Sequence, residues 1–120
     1  MAHPSPGFKR NPGYAITVKT HPGRVMVTSD GRVIASSTKA LELREGTYPP
    51  VFYIPFADID FSALTPTASS THCPYKGQAS YWSAGPLADV MWAYQRPYDE
   101  MAGIRDHGAF YASKVTIEAA

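Results

Sequence analysis

The segment at residues 71–82 (THCPYKGQASYW) concentrates the reactive side chains of this sequence. It contains the single cysteine of the chain, Cys73, together with His72 and Lys76. A neighbouring ammonium group lowers the pKa of a thiol and so raises the fraction of nucleophilic thiolate. The segment therefore predicts the floor of a binding or catalytic site, with Cys73 as the nucleophile or Lys76 as the general acid if a reaction occurs. The simpler alternative is that Cys73 is a small buried hydrophobic residue and Lys76 a solvated cation.

The same segment has the residues of a tight turn. Pro74 fixes a φ angle that suits the second position of a turn, and Gly77 permits a positive φ angle or the close approach of another backbone. We therefore expect a loop at residues 71–77 that holds its side chains in fixed directions.

Aromatic residues accumulate around and after this loop. Buried tyrosine and tryptophan side chains need partners for their polar tips, so such a region combines apolar walls with hydrogen-bond donors, as small-molecule pockets do. The alternative is that they fill a small β core. The candidate ligand-binding residues are Arg44, His72, Tyr75, Gly77, Tyr81, Trp82, Trp92 and Tyr94.

Charged side chains elsewhere in the chain suggest what such a pocket would bind. Arg44 and Lys76 are expected to bind an anionic group, and Asp58 to orient the ligand or act as a base. The alternative for Asp58 and Asp60 is that they solvate a turn and cap a short helix. Neither glycine-rich phosphate-binding pattern occurs in the sequence, and we expect no metal or other cofactor.

The elements that must position these residues are predicted to be short antiparallel strands. Residues 14–20 alternate with a period of two, and residues 24–36 form two strands joined by Asp30-Gly31, a pair that suits a type I′ turn. Residues 37–47 could form a helix by propensity, but their alternation and Gly46 favour a short strand. Strands are also expected at 50–55, 108–113 and 114–119, and a strand pair at 78–86 and 87–97 around Gly85-Pro86. Residues 57–66 are expected to form a turn or one helical turn, and residues 100–106 one helical turn. The chain thus predicts a mainly β single domain at residues 14–120, a small barrel or two packed sheets with at most one or two helical turns.

Composition narrows the function classes. Eleven Lys and Arg residues against ten Asp and Glu residues leave a net charge of +1 without charge runs, so we expect neither nucleic acid nor an anionic membrane as a partner. A lone cysteine suits a reducing compartment, and the N-terminus lacks an apolar segment, so a cytoplasmic protein is expected. Residues 1–13, rich in Pro and Gly, are expected to be a flexible or loosely docked arm without a helix.

Several short motifs of this sequence match those of a known family and occur in the same order. They are Leu43, Arg44 and Glu45; Pro49, Pro50, Val51, Tyr53 and Pro55; Asp58; Thr71, Cys73, Pro74, Tyr75, Lys76 and Gly77; Trp92 and Tyr94; and Ala109, Phe110 and Tyr111. Through most of residues 15–117 the chain resembles the DUF427 family, also called a nucleotidyltransferase-like domain. The resemblance implies a compact, mostly β domain and little about chemistry, because no transferase motif accompanies it.

Three functions remain open at this point. The first is a small-molecule site beside the loop at residues 71–77, for an anionic ligand and with or without catalysis. The second is a non-catalytic protein-interaction module that uses an exposed strand edge or an aromatic patch. The third is a thiol redox sensor at Cys73. A homodimer is compatible with a β domain of this size.

Overall fold

Ten strands in two antiparallel sheets form the framework of residues 2–120, which are the residues that the computed structural model describes. The strands are β1 (Ile16–Thr20), β2 (Val25–Ser29), β3 (Arg32–Ser37), β4 (Leu41–Glu45), β5 (Val51–Pro55), β6 (Thr65–Cys73), β7 (Gly77–Ala84), β8 (Leu87–Ala93), β9 (His107–Phe110) and β10 (Thr116–Ala119). The larger sheet has the order β1-β4-β5-β9-β8-β7-β6, and the smaller has the order β10-β2-β3. The predicted mainly β single domain is confirmed.

The hairpins form where the turn residues predicted them. Asp30 and Gly31 both adopt positive φ angles, of 49° and 76°, and join β2 to β3. Positive φ at both central residues is the requirement of a type I′ turn, which explains the Asp-Gly pair. The hairpin of β7 and β8 around Gly85 and Pro86 is also confirmed, as is the strand at Leu41–Glu45.

The segment expected as a loop at residues 71–77 is instead the tip of a hairpin. Cys73 ends β6 and pairs with Gly77 at the start of β7, so only residues 74–76 form the turn. No strand was predicted at residues 65–70, since the Ser- and Thr-rich sequence shows no apolar alternation. The strand lies at the edge of the larger sheet with nearly all its side chains exposed, and therefore needs no apolar face.

Short helical segments connect the strands. 3₁₀ turns at Phe56–Asp58 and Phe61–Ala63 follow β5, and another at Asp99–Ile104 precedes β9, which agrees with the two predicted helical regions. A short helix, α1 (Pro6–Arg10), lies in the N-terminal segment.

The helix α1 differs from the expectation for residues 1–13. The Ser5 side chain caps it by accepting a hydrogen bond from the Phe8 amide at 3.2 Å, and Pro6 occupies the first turn, where its missing amide hydrogen costs nothing. Five residues are too few for a stable isolated helix, so α1 depends on its contacts with the rest of the chain. Met1 lies outside the described residues.

The larger sheet packs on both faces, which creates two hydrophobic clusters. Successive residues of a strand point to opposite faces. Ile54 and Trp82 accordingly belong to the first cluster, which includes the buried residues of β2 and β3, whereas their neighbours Tyr53 and Tyr81 belong to the second. The second cluster is richer in aromatic residues.

Among residues 2–120, no helix is long and apolar enough to cross a membrane.

Candidate functional site

A pocket of about 790 Å³ opens on the aromatic side of the larger sheet. Strands β4, β5, β7 and β8, the turn after β6 and the segment after β9 all contribute to it. The lining residues are Leu43, Glu45, Tyr48, Pro49, Pro50, Val51, Phe52, Tyr53, Lys76, Tyr81, Trp92, Tyr94, Phe110, Tyr111, Ala112 and Ile117. Six of them are tyrosine or tryptophan, and two are oppositely charged.

The two charged residues form an ion pair at the edge of the pocket. The Lys76 Nζ lies 2.6 Å from Glu45 Oε1, and the side chains are only 10% and 20% exposed respectively. Lys76 lies in the β6–β7 turn, whereas Glu45 ends β4, so the pair joins residues 31 positions apart. The second carboxylate oxygen, Glu45 Oε2, accepts a hydrogen bond from the Tyr14 hydroxyl at 2.6 Å.

The protonation state of this network follows from its contacts. Burial alone would raise the pKa of Glu45, but the hydrogen bonds from Lys76 and Tyr14 and the positive charge of Lys76 outweigh burial and hold that pKa below its ordinary value of 4.5. The hydrogen bond to Glu45 raises the pKa of Tyr14 to about 12. At neutral pH the Glu45 carboxylate is therefore ionised and the Tyr14 phenol is neutral. The Lys76–Glu45 ion pair thus adds no net charge to the pocket.

Hydrogen-bonded aromatic side chains form the walls. The Trp92 indole Nε1 donates to the Tyr53 hydroxyl at 3.3 Å, and the Trp92 ring lies 4.5 Å from that of Tyr111, centroid to centroid. Burial raises the pKa of the Tyr53 and Tyr94 hydroxyls above the ordinary value of 10. Burial also raises the pKa of Tyr111 to about 12, and neighbouring Tyr81 adds to that increase. All these phenols are neutral hydrogen-bonding groups at physiological pH.

Four of the predicted site residues line the pocket: Lys76, Tyr81, Trp92 and Tyr94. The other twelve lining residues were not among the predicted site residues, and they include Glu45, Tyr53 and Tyr111. Glu45 follows Arg44 on β4, and strand alternation implies that only one of the two side chains faces the pocket. The hydrophobic period of β4 placed Glu45 on the same side as Leu43, which was the available signal.

Three other predicted site residues lie elsewhere, Arg44 and Trp82 because of strand alternation and Asp58 because it ends the 3₁₀ turn after β5. Arg44 is 58% exposed, and its Nε lies 2.6 Å from Glu42 Oε1 on the side of β4 opposite Glu45. Asp58 accepts a hydrogen bond from the Ser37 hydroxyl at 2.6 Å. Trp82 is buried in the first cluster, so the structure does not bring it together with Trp92.

The remaining predicted residues surround the β6–β7 turn without lining the pocket. His72 is exposed, and its Nε2 forms a 2.6 Å hydrogen bond with the Tyr98 hydroxyl. Tyr75 stacks on Tyr14 with centroids 4.1 Å apart. Cys73 is half-buried against the second cluster. Gly77 has a φ angle of 124°, and a Cβ there would lie 3.3 Å from the Arg96 carbonyl oxygen, so this position needs glycine for the backbone.

A second cavity, of about 630 Å³, lies between the β2–β3 and β7–β8 turns. Its lining includes two charged side chains, Asp30 and Arg32, and Arg32 is paired outside it with Asp60 at 2.8 Å. Among residues 2–120, no three His, Cys, Asp or Glu side chains are close enough to hold a metal ion. The aromatic pocket, with its six tyrosine and tryptophan residues and its Lys76–Glu45 ion pair, is the better candidate for a functional site.

The comparison with known families covers nearly the whole β domain. No curated protein matches the chain. The sequence model of a family described as a domain of unknown function, DUF427, matches residues 17–120, which include every strand except the first residue of β1. The chain therefore belongs to the DUF427 family.

Proposed function

We propose that this protein binds a small, uncharged ring compound in the aromatic pocket. The observation on which the proposal rests is the Lys76–Glu45 ion pair beside walls of neutral phenol and indole groups. Aromatic side chains pack well against a planar ring or the apolar face of a sugar, and their polar tips fix its orientation. A volume of about 790 Å³ is within the usual range for such sites.

The ion pair also changes the expected charge of the ligand. An anionic ligand was predicted from two free cations, Arg44 and Lys76. Each of these is paired with a carboxylate at 2.6 Å, and Arg44 does not line the pocket. An anion near Lys76 would also approach the ionised Glu45, and the repulsion would cancel much of the attraction. A neutral ligand avoids this repulsion and can still accept a hydrogen bond from the ammonium group.

Matched pairs of compounds would test the charge preference. Thermal denaturation would be followed with adenosine against adenosine monophosphate, and with glucose against glucose 6-phosphate. A ligand present at a hundred times its Kd stabilises the folded state by about 2.7 kcal/mol. For a chain of this length this raises the Tm by about 10 °C. We expect stabilisation by the uncharged member of at least one pair.

Two tyrosine variants locate the binding. Tyr111→Phe removes one hydroxyl from the pocket wall and should reduce the stabilisation, whereas Tyr98→Phe, whose hydroxyl contacts His72 outside the pocket, should leave it unchanged. Stabilisation by the phosphorylated member alone would overturn the proposal and support the anionic ligand predicted from the sequence.

Catalysis is not part of this proposal. Of the three predicted catalytic side chains, only that of Lys76 lines the pocket. Cys73 contacts the second cluster, and Asp58 is bonded to Ser37. Their catalytic roles, and the redox role of Cys73, stay predictions.

The protein-interaction module remains the alternative from a different class. It would use an exposed strand edge or an aromatic patch, and the longest edge strand is β6. Pro66 and a shift in register between Pro66 and Ser70 interrupt that edge, and both features oppose pairing with another strand. The pocket is therefore the better supported site.

A further inference from the structure

The N-terminal segment at residues 3–14, called the strap below, is docked against the β6–β7 turn. The amide of Gly7 donates to the Pro74 carbonyl at 2.8 Å, and the Ser5 hydroxyl donates to the same oxygen at 3.0 Å. Ser5 is fully buried. Since Lys76 is only two residues beyond Pro74, the strap fixes the turn that presents the pocket ammonium.

The aromatic rings of the strap extend this contact. Phe8 packs edge-on against Tyr75 with centroids 5.1 Å apart, and Tyr14 stacks on the same ring at 4.1 Å. The Tyr14 hydroxyl then donates to Glu45. The strap thus contacts Glu45 directly, and it contacts Pro74 and Tyr75 in the turn that carries Lys76.

The outer end of the strap is fastened by backbone and carboxylate groups. The His3 amide donates to Asp99 Oδ2, and the Asp99 amide donates to the His3 carbonyl, both at 2.8 Å. The Ser5 amide donates to Glu100 Oε1 at 2.9 Å. The strap precedes residue 17, where the family match begins, and so supplies contacts to the pocket from outside the matched domain.

We propose that the strap is a positioning element of the pocket, whose docking holds Lys76 and Glu45 in contact and whose release separates them. This inference rests on the proposed function only for the consequence that release weakens ligand binding. Gly7 is the residue at which the strap approaches the β6–β7 turn closely enough to be tested by substitution. A Cβ there would lie 2.7 Å from Tyr75 Cδ1 and 2.8 Å from the Pro74 oxygen, so Gly7→Ala cannot dock in the same way.

A thiol reaction tests the docking without a ligand. Cys73 and Phe8 pack against the same cluster, so release of the strap should expose the thiol. We expect iodoacetamide to alkylate Cys73 about tenfold faster or more in Gly7→Ala, because the local opening becomes more populated. Gly13→Ala is the matched control, since nothing lies within 4 Å of a Cβ at that position. Equal rates in both variants and the wild type would overturn the proposal.

A second readout reports the ion pair itself. Lys76→Met should lower the Tm of the wild type and of Gly13→Ala equally, but should lose most of its effect in the Gly7→Ala background. A strap with a merely structural role would leave the effect of Lys76→Met unchanged, and that result would also overturn the proposal. If Gly7→Ala fails to fold, Ser5→Ala, which removes one hydrogen bond to Pro74, replaces it. Neither readout depends on a ligand, so a failed compound screen would contradict the proposed function and leave this inference standing.

Discussion

Substitution of Lys76 by methionine should reveal how strongly the ion pair stabilises the fold. Methionine keeps much of the apolar length of lysine but removes the ammonium group, and leaves Glu45 with Tyr14 as its hydrogen-bond partner. Breaking a fully buried pair costs about 3–5 kcal/mol, and an exposed pair contributes about 1 kcal/mol or less. The side chains here are 10% and 20% exposed, so we expect a loss of about 2–3 kcal/mol.

A double-mutant cycle measures the interaction itself. Glu45→Gln alone should cost about 1–2 kcal/mol, and the double variant should cost less than the sum, with a coupling energy of about 1–2 kcal/mol. The assay is urea denaturation at pH 7 of the four proteins, with Arg44→Met as a control for the exposed pair with Glu42. A coupling energy below about 0.5 kcal/mol would refute the argument that the two charges depend on each other.

The effect of Lys76→Met should also depend on pH. The pKa of Glu45 is lower in the folded protein than its ordinary value of 4.5, so its stabilisation is fully present above that value and is lost as the pH falls through the lowered pKa. The wild type and Lys76→Met should therefore converge in stability in acid. A difference that stays constant from pH 7 to pH 3 would show that lost packing, and not charge, explains the cost.

Three further predictions concern the framework of the domain. Gly108→Ala should destabilise by about 2 kcal/mol in urea denaturation, because its Cβ would lie 2.5 Å from Met91 Sδ in a packed core; a loss near zero would contradict this packing. Gly31→Ala should cost about 1 kcal/mol in thermal denaturation, since its φ angle is +76°, and an unchanged Tm would argue against the observed turn. Tyr53→Phe should cost about 1 kcal/mol by leaving the Trp92 Nε1 without its acceptor, and equal urea midpoints for variant and wild type would count against that hydrogen bond.

The sequence predicted those parts of the fold that depend on local patterns. Asp30-Gly31 determines a turn by its own backbone preferences, and apolar alternation predicted the strands with one buried face. β6 was not predicted, because both of its faces are exposed and a strand without a buried face shows no hydrophobic period. The helix α1 was missed because its stability comes from contacts with a turn more than sixty residues away.

The candidate site was predicted only in part for the same physical reason. Lys76 and Trp92 could be selected by residue type, but the partner of Lys76 lies 31 residues earlier in the chain. Strand direction decides that Glu45 faces the pocket while Arg44 faces away. A shift of one residue in the pairing of β4 would exchange them, and a single sequence does not specify that register from local composition.

Titration of the ¹⁵N-labelled wild type with the uncharged compound that most raises its Tm tests the central claim most directly. Binding in the aromatic pocket should give concentration-dependent shifts at the Trp92 indole and at the backbone amides of Glu45, Tyr53 and Lys76, with smaller changes elsewhere. Shifts confined to the second cavity near Asp30, or no shift with any uncharged compound, would contradict it.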